Sequence, residues 1–72
     1  MLICHLENKI KESGLRKSFI ADHINVTVRQ LRKYETMDSI APIDKAYMLA
    51  EILNCKFEDI YEWKIVKKED TN

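Results

Sequence analysis

The sequence predicts a small all-α protein, and three observations support this prediction. The 72 residues include only one Gly and one Pro, so few positions interrupt a helix. Apolar residues recur at helical spacing along most of the chain, and the segments between these stretches are short. Because 46% of the residues are hydrophobic, there is enough apolar material for one core. We therefore expect a single compact domain over residues 1–72, with its core at about residues 5–62 and any strands at the ends.

The second predicted helix runs from Arg16 or Lys17 to His23 and is followed by a tight turn. Its apolar positions are Phe19, Ile20 and Ile24. Asn25 comes next, and Asn tolerates left-handed backbone geometry better than any residue except Gly. A turn of this length joins two helices at a steep angle.

The third predicted helix has a well-marked beginning. Thr27 is a good N-cap, and Gln30 lies three residues later, where its side chain can close a capping box. Val26 and Leu31 have the spacing of a hydrophobic staple, which fixes the angle at which the chain enters the helix. We therefore expect a rigid helix with a defined orientation at roughly residues 28–34.

The same helix has one apolar face and one basic face. At about 100° per residue, and with Leu31 pointing inward, Tyr34 falls near the inner face. Arg29 and Lys33 then point almost directly outward. The flanks of this outer face are Gln30 and Arg32. The helix therefore presents a surface that is rich in positive charge and hydrogen-bond donors.

The remaining helices are predicted to form the scaffold. A fourth helix starts near Pro42, and its apolar stripe consists of Ile43, Ala46, Tyr47, Leu49, Ala50 and Leu53. A first helix and a short final helix close the core with Leu6, Ile10 and Leu15 and with Phe57, Ile60 and Tyr61.

Both ends of the chain have a pattern that favours strands. Residues 61–65 alternate apolar and charged side chains, and residues 1–6 are short, apolar and extended in character. The two segments could pair with each other, but a lone two-stranded ribbon is marginal in water. Trp63 is then either an anchor for a second subunit or a cover for the edge of its own core. Residues 63–72 are correspondingly a dimerisation strand or a tail, disordered from Lys67 onward.

Taken in order, these features resemble the Xre-type regulators, the family that includes the lambdoid phage repressors and Cro. The matching residues are Gly14-Leu15, Ile20-Ala21, Asn25-Val26-Thr27, Leu31, Tyr34-Glu35, Pro42, Leu49-Ala50, Leu53-Asn54 and Phe57-Glu58-Asp59-Ile60-Tyr61. Three positions depart from the family pattern. Arg16 replaces the usual Ser or Thr cap of the second helix, Met37 replaces a Gly after the third, and Asp38 lies in a loop that is often basic.

The resemblance implies a compact five-helix lambda-repressor-like fold and a function. The expected protein is a sequence-specific, double-stranded DNA-binding transcription regulator, and specifically a small repressor from a phage, a mobile element or a bacterium. Because one such domain touches few base pairs, it is expected to bind an inverted-repeat operator as a homodimer. No small-molecule ligand is expected.

The resemblance also assigns roles to individual residues. The third helix is expected to lie in the major groove, where side-chain donors and methyl groups contact base edges. The predicted base-contacting residues are Thr27, Val28, Arg29, Gln30, Arg32 and Lys33. The predicted phosphate-contacting residues are Arg16, Lys17 and Tyr34, with Lys17 carried over directly from the family pattern.

The distribution of charge matters more than the formal net charge of zero. Residues 9–34 hold seven basic and two acidic groups, a net of +5, whereas residues 35–62 hold two basic and seven acidic groups, a net of −5. The basic half coincides with the proposed DNA-binding segment. Asp38 and the acidic half favour an alternative, a protein-interaction module of the same fold that binds another regulator or a toxin.

Other chemistry has little support in the sequence. Cys4 and Cys55 fit reduced thiols that are buried as small hydrophobic residues, and a zinc site with His5 and His23 lacks the usual ligand spacing. Catalysis is not expected, because no nucleophile is paired with a base and no Gly-rich phosphate loop is present. No cofactor is expected. The absence of a signal sequence and of a long apolar run predicts a cytoplasmic protein.

Overall fold

A computed structural model describes residues 1–65 of the chain. Within that range it contains five helices and two short strands. In chain order these are β1 (Leu2–Cys4), α1 (Leu6–Ser13), α2 (Lys17–His23), α3 (Val28–Glu35), α4 (Ile43–Ile52), α5 (Phe57–Ile60) and β2 (Tyr61–Trp63). The predicted all-α fold with terminal strands is confirmed. The predictions made for residues 66–72 lie outside the described residues.

The two terminal strands pair with each other in antiparallel orientation. Leu2 lies opposite Trp63, and Cys4 lies opposite Tyr61. The backbone N–H of His5 donates to the carbonyl of Ile60 at 2.7 Å, which ties the start of α1 to the end of α5. The sheet therefore brings both ends of the folded region together at one side of the helical core.

The core lies between the five helices and the inner side of the sheet. Its fully buried large side chains come from α1, α2, α3, α4 and α5 and from the turn after α2. They are Leu6, Ile20, Ile24, Leu31, Leu49 and Ile60. Removal of a leucine-sized side chain from water contributes about 1.5–3 kcal/mol. These six residues therefore fix how α3 is held against α1 and α2.

Three apolar residues that helical periodicity assigned to the core are exposed. Phe19 is 55% exposed, because it points roughly 150° away from the mean direction of the buried residues of α2. Ile43 and Tyr47 are 68% and 58% exposed. They lie about 70° and 110° from the buried direction of α4, on the flank of the predicted stripe rather than in it. The apolar face predicted for α4 was therefore wider than the face that is buried in the structure.

Four residues in the range 1–65 adopt left-handed backbone conformations at the ends of helices. Gly14 ends α1 with a φ of 73°, and Asn25 occupies the turn before α3 with a φ of 61°, as predicted. Met37 and Asn54 have φ values of 67° and 55°. At Met37 an L side chain takes the place of the usual Gly, and its backbone carries the strain that Gly would avoid.

Candidate nucleic-acid interface

The α2–turn–α3 unit is held by hydrogen bonds at its turn. The N–H of Val26 donates to the carbonyl of Ala21 at 2.9 Å. Thr27 Oγ1 accepts a hydrogen bond from the N–H of Gln30 at 3.0 Å, so Thr27 is the N-cap of α3, as predicted. The prediction of a complete capping box is wrong, since within the described range the side chain of Gln30 makes no hydrogen bond back to Thr27. One such cap contributes about 1 kcal/mol to the helix.

The exposed face of α3 is basic. Leu31 and Tyr34 are buried at 0% and 5% exposure, whereas Arg29, Arg32 and Lys33 are exposed. The half-buried side chains beside this face are Val28 and Gln30. The orientation predicted for α3 is therefore confirmed, and its cations point away from the core.

These cations make no ion pairs with other described side chains. The ion pairs found in residues 1–65 are His5–Glu62, Lys9–Glu12 and Lys17–Glu35. None of them involves Arg16 or a cation of α3. The cations of α3 are thus free of ion pairs within the part of the chain that the structure describes, and unpaired cations of this kind attract phosphate.

Lys17 and Glu35 form an ion pair that links the start of α2 to the end of α3. The Nζ–Oε1 distance is 3.0 Å, and the side chains are 39% and 5% exposed, respectively. Glu35 Oε2 is buried and has no hydrogen-bond partner among the described residues. The pair therefore holds α2 and α3 in a fixed relation, because loss of Lys17 would leave a carboxylate buried without a partner.

Sequence reasoning missed the structural role of Glu35, although a signal was present. At about 100° per residue, Glu35 lies only about 40° from the inward direction of Leu31. Periodicity thus placed this carboxylate on the buried side of α3. A buried acidic residue is rare unless it is paired, so its presence there indicates a partner cation.

A second missed contact closes the other end of α2. Lys45 Nζ, from α4, donates a hydrogen bond to the carbonyl of Ile24 at 2.8 Å. A cation at a helix C-terminus satisfies a carbonyl that has no partner within the helix and interacts favourably with the helix dipole. His23 is the last residue of α2, as predicted. Both ends of α2 are therefore fixed by lysines.

The end of α3 forms a shallow concave surface with the loop that follows. Its lining includes Arg29, Arg32, Lys33 and, from the loop, Asp38. The N–H of Asp38 donates to the carbonyl of Lys33 at 2.9 Å, so the loop folds back over the end of the helix. A carboxylate is thus placed beside the cations that we expect to approach DNA.

The three predicted phosphate-contacting residues lie in different environments. Arg16 is exposed and is the N-cap residue of α2, but its side chain makes no capping bond. Lys17 is engaged by Glu35 through one donor. Tyr34 is 5% exposed and is mainly a core residue. Phosphate contacts by all three stay predictions.

The described residues form no cluster that could bind a metal, and their two thiols are not activated. No group of three or more His, Cys, Asp or Glu side chains in residues 1–65 has the geometry to hold a metal ion. Cys4 and Cys55 are free thiols, and burial raises the pKa of each above its ordinary value. Thiols of raised pKa stay protonated at neutral pH and are poor nucleophiles.

The terminal sheet is also fastened by a polar contact. His5 Nε2 lies 2.9 Å from Glu62 Oε1 at the surface, and this hydrogen bond lowers the pKa of the Glu62 carboxyl. The hydroxyl of Tyr61, from β2, accepts a hydrogen bond at 3.3 Å from the N–H of Ala41 in the loop before α4, and burial raises the pKa of the Tyr61 phenol.

A helix long and apolar enough to cross a bilayer is not found among residues 1–65.

Comparison with known proteins agrees with the architecture. The helix-turn-helix family matches residues 6–60, from the first residue of α1 to the last residue of α5. The chain therefore belongs to the helix-turn-helix family and is of the Xre or lambda repressor-like type, whose members are DNA-binding regulators. A search of the curated proteins found no match.

Proposed function

We propose that the protein is a small repressor that binds an inverted-repeat operator as a homodimer. The observation that carries this proposal is the exposed basic face of α3. Arg29 and Lys33 project from a capped helix whose other side is anchored by Leu31, and neither is paired with a described acidic group. A rigid helix with this face is what major-groove recognition requires.

The proposed base contacts follow from the chemistry of each side chain. Arg29 and Arg32 suit guanine, since a guanidinium matches its two major-groove acceptors, whereas Gln30 suits adenine. Lys33 donates to base or phosphate acceptors. Val28 and the methyl group of Thr27 suit a thymine methyl. Arg16 and the donors of Lys17 not used by Glu35 are assigned to phosphate, which positions the helix without specifying sequence.

Homodimerisation is part of the proposal, because one domain touches only a few base pairs. Two domains related by two-fold symmetry would contact half-sites about 34 Å apart, or one helical turn. The cytoplasmic location stays a prediction from the sequence, and the phage, mobile-element or bacterial origin stays a prediction from the family resemblance.

Selection of bound sequences from a random duplex pool tests this function. We expect a two-fold symmetric consensus whose half-site centres are about one helical turn, or a multiple of it, apart. Retention of duplexes with no enriched sequence would contradict sequence-specific recognition.

The alternative function is a protein-interaction module of the same fold. One observation favours it, namely that Asp38 is exposed and lines the same concave surface as Arg29 and Lys33. In that case the selection would retain no duplex above background, and any residual binding to DNA would depend little on salt concentration.

A further inference from the structure

An apolar groove of about 400 Å³ lies between the start of α4, α5 and the terminal sheet. We call it the terminal groove. Its apolar walls are formed by Leu2, Ile40, Ile43, Phe57, Tyr61 and Trp63. No residue of α3 lines it, so it is separate from the basic face described above.

The geometry of the sheet explains why Trp63 stands over this groove. Trp63 and Tyr61 are two residues apart on β2, so their side chains lie on the same side of the sheet. Their partners across the sheet are Leu2 and Cys4. Tyr61 reaches the core and is 5% exposed, whereas Trp63 extends past the end of the core and is 69% exposed. Trp63 therefore does not cover its own core, which was one of the two predicted roles.

The apolar surface around the groove is large for a chain of this size. Ile40, Ile43, Tyr47 and Trp63 are each 58–69% exposed, and the ring of Tyr47 packs on Phe57 with centroids 5.3 Å apart. An aromatic side chain buries roughly 150–250 Å² and an isoleucine less, so these four leave on the order of 500 Å² uncovered. A symmetric contact uses this area twice and reaches about 1,000 Å², the lower limit for a specific interface.

The charge of the residues that line the groove indicates which class of partner would bind there. Charged residues make up 33% of the chain, yet among residues 1–65 Glu58 is the one charged residue that lines the groove. The described lining contains no cation, and a surface of that kind does not attract nucleic acid. A second copy of the same groove matches it, because both surfaces are apolar and nearly neutral, and each copy offers a projecting indole and a cavity.

We propose that the terminal groove is a two-fold interface between two copies of this chain, in which Trp63 of each copy enters the groove of the other. Such an interface is self-complementary, since the same patch meets itself across the axis. An exposed Trp placed in a partner's pocket is the kind of residue that dominates binding energy. This inference rests on the proposed function in one respect, namely that a symmetric operator requires a dimer. The interface itself can be tested without DNA.

Sedimentation equilibrium of the full chain, without DNA, tests the interface. The wild-type chain is expected to form a dimer. We expect Trp63→Ser to raise the dimer dissociation constant by at least about 30-fold, the effect of losing one dominant interface residue, since the two-fold symmetry repeats the loss in the second copy. Ile43→Glu, at the opposite wall of the groove, is expected to act in the same direction. Circular dichroism melts, recorded at a concentration where the wild-type chain is also monomeric, should be unchanged, because both side chains are more than two-thirds exposed. At higher concentrations dimerisation adds to the apparent stability of the wild type by mass action.

Phe19→Ser is the matched control, because Phe19 is also a large exposed apolar residue, 55% exposed, but lies on α2 outside the groove. This variant should dimerise like the wild type. A monomeric wild-type chain would overturn the inference, and so would equal weakening by Phe19→Ser and Trp63→Ser. Failure of the DNA-binding proposal can be distinguished from failure of the interface proposal. A chain that dimerises but does not bind DNA would contradict the first and support the second. A Trp63→Ser monomer that still binds non-specific duplex leaves the function of α3 intact.

Discussion

Simultaneous replacement of Arg29 and Lys33 by Ala is expected to abolish high-affinity binding to the selected operator. Each good base contact contributes about 1–3 kcal/mol to discrimination. Loss of both contacts in one protomer therefore lowers affinity by about 30-fold or more, and symmetry repeats the loss in the second protomer. Fluorescence anisotropy of a labelled operator duplex at fixed salt concentration measures this change.

The control for this variant is Lys56→Ala. Lys56 is also an exposed cation, but it precedes α5 in the acidic half of the chain. Its loss removes one positive charge without changing α3, so we expect little change in affinity. Both variants should keep the wild-type melting temperature, because substitutions at exposed positions usually change stability by less than about 0.5 kcal/mol. If Lys56→Ala weakened binding as much as a single Ala substitution in α3, the effect would be one of net charge and not of α3.

Replacement of Lys17 by Met is expected to destabilise the fold. It would leave Glu35, which is 5% exposed, without its partner at 3.0 Å. A buried charged group without a partner costs at least about 1–3 kcal/mol. The expected loss lies in that range and below the usual cost of breaking a fully buried pair, because Lys17 itself is 39% exposed. Urea unfolding followed by circular dichroism measures the loss.

Two further variants make this prediction specific. Lys33→Met removes an exposed cation that has no described ion-pair partner, so it should change the free energy of unfolding by less than about 0.5 kcal/mol. The double variant Lys17→Met with Glu35→Met removes both charges. It should recover most of the lost stability, because no carboxylate is then left buried. An equal loss in Lys17→Met and Lys33→Met would show that the ion pair does not hold α2 and α3 together.

The helix that carries the proposed function was predictable because its signals are local. Thr27 marks the start of α3, and the alternation of Leu31 with Arg29 and Lys33 defines its two faces. Pairing of the terminal strands was one possibility that the patterns at the two ends of the chain offered, but the register of Leu2 with Trp63 was not predicted. A register depends on where the helices place the two ends of the chain, and short-range patterns do not contain this information.

The features that sequence reasoning missed depend on contacts between distant elements. Lys17 and Glu35 are separated by the whole turn, and Lys45 reaches the end of α2 from α4. Periodicity gives the direction in which a side chain points, but not what it meets there. The same limit explains Phe19, which is apolar and lies in a helix but points away from the buried face of α2. The sequence alone does not distinguish an exposed apolar residue in a helix from one in the core.

The most direct test of the role of α3 is the salt dependence of binding to a random duplex. The logarithm of affinity should fall linearly with the logarithm of salt concentration, with a slope of about −0.9 for each phosphate contact in the complex. The Arg29→Ala/Lys33→Ala variant should show a shallower slope, while Lys56→Ala keeps the wild-type slope. A wild-type affinity that does not depend on salt, or a slope that is the same in all three proteins, would contradict the proposal that α3 faces DNA.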